Sequence, residues 1–306
     1  MLAVALLLAA LAGRAPGLEI DVSQHPLPSI EAWCSFCNLL GQESTQEPKK
    51  AKKRQFPRLN ASAKNRVEDA LLALRTSKGK EAQQQAVSDL QREGAGAVPK
   101  CLDYFRKLEN EPARSRMRQV LDHILKEEDL DLAHKALGKK ADPWARTYIA
   151  RRFADSRRKD AVATLKLYLK DKDSEVRYQA ARGLAFHEQK DGVTELHAFL
   201  LQHWKNRHKE FRADFAGVKR GPCSGAILPL LNKGDRNQRL AAVHLFELLG
   251  YSGHKASLKP LLDHPDGAIK HATINACRVV IDGDEPLKRP SVFEDIKHAE
   301  EWKKRL

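Results

Sequence analysis

The chain is poor in the features on which membrane spans, sheets and metal sites depend. No apolar run reaches the roughly 20 residues needed to cross a bilayer; the run at residues 2–12 is too short. No stretch alternates apolar and polar residues with period two, so half-buried strands are not expected. Aromatics are only 6% of 306 residues. The twelve histidines form no HExxH motif, and His187-Glu188 is the one His-Glu dipeptide. Cysteines number five, and an odd count leaves at least one unpaired in a monomer. Cys34 and Cys37 form a lone CxxC without the second pair of ligands that a zinc site needs. Nor do the strand and helix of a thioredoxin-like redox motif flank it. A local disulfide in an exported linker, or two free thiols, is the expectation there. Cys101 and Cys277 fall on apolar helix faces and read as small core residues.

Acid is also scarce relative to base. Lys+Arg total 54 against 40 Asp+Glu, a formal charge of +14. That balance favours acidic partners, although it also serves solubility alone. Residues 1–12 have the apolar core of a secretory signal, with a small-residue cleavage site at Ala10-Leu11-Ala12, but no basic residue precedes them. The expected location is therefore secreted, periplasmic or envelope-associated; the alternative is an apolar first helix on a cytoplasmic protein. Residues 13–59 hold Pro16, Pro26, Pro28, Pro48 and Pro57 and no sustained period, which predicts a flexible linker. Its basic tract, residues 48–58, reads as a solvated tether or a nuclear-import tract.

From Asn60 onward helix formers dominate and glycines become punctuation. Helices of about 11–16 residues separated by short polar turns predict an all-α body. Within it the outline Asp-x-x-x-Arg/Lys recurs at Asp142–Arg146, Asp173–Arg177, Asp235–Arg239 and Asp266–Lys270, spaced by 31, 62 and 31 residues. A second set of positions keeps the register. Val162, Leu165, Tyr168 and Leu169 recur 31 residues later as Val193, Leu196, Phe199 and Leu200. A period of 20–50 residues marks stacked repeats. Each Asp is placed to cap a helix start, and the base four residues on lies on the same face, placed to pair with it or to reach the next repeat. Ala180, Ala181 and Ala242 are small enough to let helices approach closely.

These residues, in particular Asp173-Ser-Glu-Val176-Arg177-x-x-Ala180-Ala181-x-x-Leu184 followed by Val193–Leu200, resemble the short HEAT repeat. The resemblance implies an α-solenoid of stacked antiparallel helix pairs, HEAT/armadillo-like. It spans residues 60–282 with about seven repeats, and residues 283–306 form a C-terminal capping helix. It weakens toward the ends: Pro112 stands where an acid is expected, and Glu81–Gln85 replaces the pair. Residues 204–220 should contain a repeat start but carry a smeared motif.

Evenly spaced copies of one group do not converge on a point, so the ladder reads as structural rather than catalytic. The chain is expected to be non-enzymatic, with no cofactor and no metal. Two HEAT-like enzyme classes compete with this reading. Deoxyhypusine hydroxylase needs several His-Glu pairs for its irons, and bilin lyases need a bilin site; neither pattern is present. The expected function is a scaffold that binds a protein, or an extended anionic partner, on a curved basic surface. Arg207, Lys209, Arg212, Lys219 and Arg220, in the least repeat-like stretch, are the candidate contacts. The alternative is nucleic-acid binding, as in the HEAT-like DNA alkylation-repair glycosylases. It rests on the aromatic and basic mixture Trp144-Ala-Arg-Thr-Tyr148-Ile-Ala-Arg151-Arg152.

Overall fold

The structure, a computed structural model, describes residues 54–138, 141–288 and 291–306. The signal expected at 1–12, the linker as far as 53 and the Cys34/Cys37 pair lie outside the described residues. Among the described residues there is no strand. No helix there is long and apolar enough to cross a membrane.

Helices alternate between longer and shorter members. The longer row comprises α2 (Lys80–Glu93), α4 (Glu111–Ile124), α6 (Pro143–Ser156), α8 (Ser174–Phe186), the second half of α9 (Val193–Asp214), α11 (Arg236–Leu249) and α13 (Gly267–Cys277). The shorter row comprises α3 (Val98–Tyr104), α5 (Leu130–Ala136), α7 (Ala161–Tyr168), the first half of α9, α10 (Ser224–Leu231) and α12 (Lys259–Leu262). Helix α1 (Ala61–Thr76) packs on α2 at one end, and α14 (Val292–Arg305) packs on α12 and α13 at the other. Successive long helices pack directly on one another, with the exception of α4 and α6, which barely touch, whereas successive short helices touch far less. A stack whose rows are so unequally spaced bends toward the tighter row, so the long helices form its inner face.

The acids of the repeat cap these helices. Asp142 accepts from the Trp144 N–H at 2.8 Å, Asp173 from Glu175 and Val176 at 3.0 and 3.2 Å, and Asp266 from Ala268 and Ile269 at 2.9 and 3.1 Å. Asp235 forms a full capping box with Gln238. Each such cap contributes about 1 kcal/mol. Near Pro112 the cap does not vanish. Asn110 takes it over, accepting from the Ala113 N–H at 2.9 Å.

The expected pairing of Asp with the base four residues on is corrected. Among the described residues none of the four acids forms an ion pair with its base. The carboxylates are turned onto free N–H groups, and helical side chains lean toward the N-terminus. Arg146 therefore reaches back to the Ala141 carbonyl, and Arg177 to the carbonyls of Asp171 and Lys172. Arg146 also grips Asp171, in the turn before the next repeat, through two bonds of 2.8 and 3.0 Å. In the same register, Arg239 Nη1 lies 3.5 Å from His264 Nε2. Arg177 has no such turn ahead of it, because the equivalent position, Gln202, lies inside α9. It pairs with Glu195 instead, at 2.7 Å.

That continuous α9 is the second difference. A turn is expected near residue 202, but no Gly or Pro interrupts 193–214, and one 22-residue helix serves both rows. A third concerns the linker. Its last residues, 54–59, lie on the body, with Phe56 and Leu59 packed against the core. Leu59 and Pro57 crowd Gly96, where a Cβ would meet Leu59 Cδ2 at 2.8 Å.

The interior falls into two clusters, one running from Val67 to Leu184 and the other from Tyr178 to Trp302. They meet on α8, which contributes Val176, Ala180 and Leu184 to the first and Tyr178, Ala181 and Ala185 to the second. Close backbone approach makes this possible. A Cβ on Gly183 would sit 2.8 Å from Ala154 Cα, and one on Gly192 would sit 2.8 Å from Ala181 Cα. Cys101 and Cys277 are fully buried, and burial pushes their thiols up to about 12.

Candidate functional site

The inner helices α4, α6, α8 and α9 frame a groove of about 520 Å³. Trp144 lines it and is 37% exposed. Its position follows from the cap: Asp142 starts α6, Pro143 occupies the first turn, and Trp144 projects from that turn beside the previous repeat. Arg114 and Arg118 of α4 lie over its ring at 4.5 and 5.9 Å. Thr147 and Arg151 continue the wall one and two turns on. Arg118 and Arg151 also border a shallower depression of about 620 Å³ lined by Ser115, Arg116, Gln119 and Asp122.

The opposite end is a closed ionic cluster. Arg207 of α9 bonds Glu175 at 2.6 and 3.1 Å and Glu210 at 2.6 and 2.9 Å. Its guanidinium lies 5.2–5.5 Å from the rings of Phe199, Phe211 and Tyr178. Burial opposes its charge, yet the bonds to Glu210 and Glu175 hold its pKa above the ordinary arginine value. Glu210 is held below the usual carboxylate range by the Arg207 hydrogen bond. The other end is paired as well: Arg118 is bridged to Glu111, and Arg151 lies 3.6 Å from Asp155.

Between the two ends lies Gln179, only 6% exposed. Its Nε2 donates to Glu175 Oε1 at 3.2 Å, and its Oε1 is buried without a donor. An unpaired buried acceptor costs about 1–3 kcal/mol. Nothing in the packing of the repeat demands a polar group here. The equivalent positions in the other repeats are Tyr148, Ala241 and Ala272, all buried.

The five candidate contacts are dispersed. Arg207 lies in the groove but is committed to Glu175 and Glu210, so it is not the free cation expected. Arg212 is paired with Glu247, at 2.7 Å. Glu247 is 1% exposed. Burial disfavours its charge, but His244 and Arg212 hold it ionised and below the usual carboxylate range. His244 stacks on Trp204 with ring centroids 3.9 Å apart. Arg220 donates to the Val279 carbonyl at 2.7 Å and borders a separate small pocket with Arg212 and Glu247. Lys219 is exposed, 3.0 Å from Glu188, and Lys209 is exposed. The bases of this stretch are expected to be exposed, but most of it folds as helix and draws its arginines onto neighbouring repeats.

The segment 144–152 divides. Trp144, Thr147 and Arg151 line the groove. Arg152 turns away to Asp122 and the Leu125 carbonyl, at 3.1 and 2.8 Å. Arg118 and Gln179 were missed. Arg118 lies in a repeat with a degenerate motif, whereas Gln179 was detectable as the polar member of an otherwise buried column. His187 and Glu188 sit at the end of α8, with burial lowering the His187 pKa. Among the described residues no group of three or more His, Cys, Asp or Glu stands together as a metal-binding set.

Residues 130–214 match the family model for HEAT repeats. No curated protein matches the chain. Among solved structures, human deoxyhypusine hydroxylase in complex with glycerol is similar over 80% of this chain and 98% of that one. Its identity is 14% and its TM-score 0.31, too distant to bear on activity. Residues 130–214, which contain α5 to α9 and much of the groove, therefore carry HEAT repeats.

Proposed function

We propose that this HEAT-repeat chain is a non-enzymatic scaffold that holds a partner protein against its inner row of helices. The observation that carries the reading is the groove at Trp144. It has an exposed aromatic ring under two arginines, a third arginine alongside, and a buried acceptor without a donor, all on consecutive inner helices. Exposed Trp and Arg side chains are the residue types that anchor protein interfaces. Nucleic-acid binding is the second reading, supported by the net charge of +14.

Site-specific crosslinking separates the two. Benzoylphenylalanine in place of Thr147, in the source cell, should give an adduct that protease removes and nuclease leaves intact. The same group in place of the exposed Lys233 should give none. A nuclease-sensitive adduct at 147, with duplex affinity falling steeply with salt, would replace the scaffold reading with the second one.

A further inference from the structure

The chain that leaves α13 for α14 is fastened at two points. At the first, the Asp284 N–H donates to the Arg278 carbonyl at 3.1 Å, and the Arg278 guanidinium holds the Glu285 carbonyl at 3.2 Å and the Asp284 carboxylate at 3.1 Å. At the second, the Leu287 N–H donates to Asn275 Oδ1 at 2.7 Å, with the Leu287 side chain against the core. Residues 283–286 form one wall of the pocket of about 280 Å³ that Arg212, Arg220 and Glu247 share. We infer that residues 283–287 are a strap along this wall, and that proton uptake by His271 unfastens its Leu287 end. This inference stands independently of the scaffold reading.

The polarity of donors and acceptors carries it. A main-chain N–H can only donate, so Asn275, 7% exposed, must turn its Oδ1 to Leu287 and its Nδ2 to His271 Nε2, 3.0 Å away. An amide NH2 can only donate as well, so Nε2 is the bare nitrogen of a neutral ring. The one ring proton then lies on Nδ1, which donates to Asp295 Oδ1 of α14 at 2.9 Å. Among the described residues α11 and α12 bring no ion-pairing or hydrogen-bonding group to the ring, so Asp295 is the charge it faces.

A second proton can enter only at Nε2, where it meets the Asn275 donor. Asp295 favours the charged ring, so the conflict is resolved at Asn275. Its amide turns over, Oδ1 accepts from Nε2–H, and Nδ2 is left opposite the Leu287 N–H. Two donors then face each other and the strap loses its bond, while the contact of His271 with Asp295 becomes an ion pair. Histidine is the side chain that ordinarily titrates between about pH 5 and pH 8, which sets the range of the device.

Two NMR readouts on the full chain test this. Long-range ¹H–¹⁵N spectra at the upper end of that range should show His271 as the Nδ1–H tautomer. At the lower end, the protection of the Leu287 amide against hydrogen exchange, corrected for the intrinsic rate, should be lower by about fivefold, which is what the net loss of one neutral hydrogen bond amounts to. The Asp284 amide, whose acceptor is a main-chain carbonyl, should keep its protection. His271→Gln does not titrate and should make Leu287 protection indifferent to pH. In Asn275→Asp the carboxylate can accept from the Leu287 N–H and from His271 Nε2–H at once, so acid should no longer lower the protection. An asparagine with a packing role alone would give no such rescue. An Nε2–H tautomer in the parent protein, or unchanged Leu287 protection once the ring is doubly protonated, would overturn the inference. So would an acid-dependent loss that persists in His271→Gln, because the proton would then act elsewhere.

Discussion

Gly183→Ala tests the packing on which the groove depends. In an ordinary helix interior this change is favourable by about 1 kcal/mol, because alanine loses less backbone entropy than glycine. Here the added methyl would lie 2.8 Å from both Cα and Cβ of Ala154 and 2.9 Å from Leu165 Cδ1. Two of those three atoms belong to the facing helix's backbone or its first side-chain carbon, so no rotamer change relieves the crowding. Overpacking of this kind costs about 1–3 kcal/mol. Subtracting the propensity gain leaves a net loss of about 1 kcal/mol. In a unit of this size that lowers the thermal midpoint by about 2–4 °C.

Gly267→Ala is the internal control. It sits in the first turn of α13 with nothing within 4 Å of the added carbon, and should gain up to about 1 kcal/mol. Circular dichroism at 222 nm during urea and thermal titration reads both. The same crowding pries α6 from α8, both of which line the groove, so Gly183→Ala should also lower crosslinking from position 147. If Gly183→Ala stabilises the protein as much as Gly267→Ala, the close α6–α8 approach is wrong, and with it the shape of the groove.

Further outcomes can be checked in the same assays. Asp173→Ala removes the acceptor for two N–H groups and should cost about 1 kcal/mol, with Asp173→Asn retaining most of it. Arg182, whose side chain is 7% exposed, is bridged to Asp155 of α6 and to Asp214 of α9, so it ties together helices on either side of α8. Arg182→Ala should cost about 2 kcal/mol, less than a fully buried pair because Asp155 is half exposed, and the urea transition should broaden as the two cores unfold less cooperatively. Burial depresses the pKa of His134, His187 and His244 below the ordinary 6.5. Below that value the unfolded chain binds more protons than the folded one, so stability falls as pH drops through 6.5 toward the depressed values. The carboxylates with lowered pKa lose their contribution only below about 4.5, outside that window. Urea midpoints at about pH 7 and pH 5 should therefore differ. His244→Phe, which keeps a ring on Trp204, should shrink the difference, and an unchanged difference would remove His244 from the account.

The sequence by itself determined the class of fold, because caps and apolar period are local. Asp142, Asp173, Asp235 and Asp266 need only the N–H groups two or three residues ahead, and their 31-residue spacing sets the stacking. Tertiary structure decided where the basic side chains went. The reach of an arginine exceeds one helical turn, so Arg146, Arg207 and Arg212 chose partners 25–35 residues away that no local spacing announces. It also decided that residues 193–214 form one helix. The sequence contains no breaker there, but only packing against α8 and α11 fixes both halves in their rows. The groove belongs to this second kind of fact. Trp144, Arg118, Arg151 and Gln179 come from three consecutive repeats, and a site assembled across repeats exists only once the repeats have stacked.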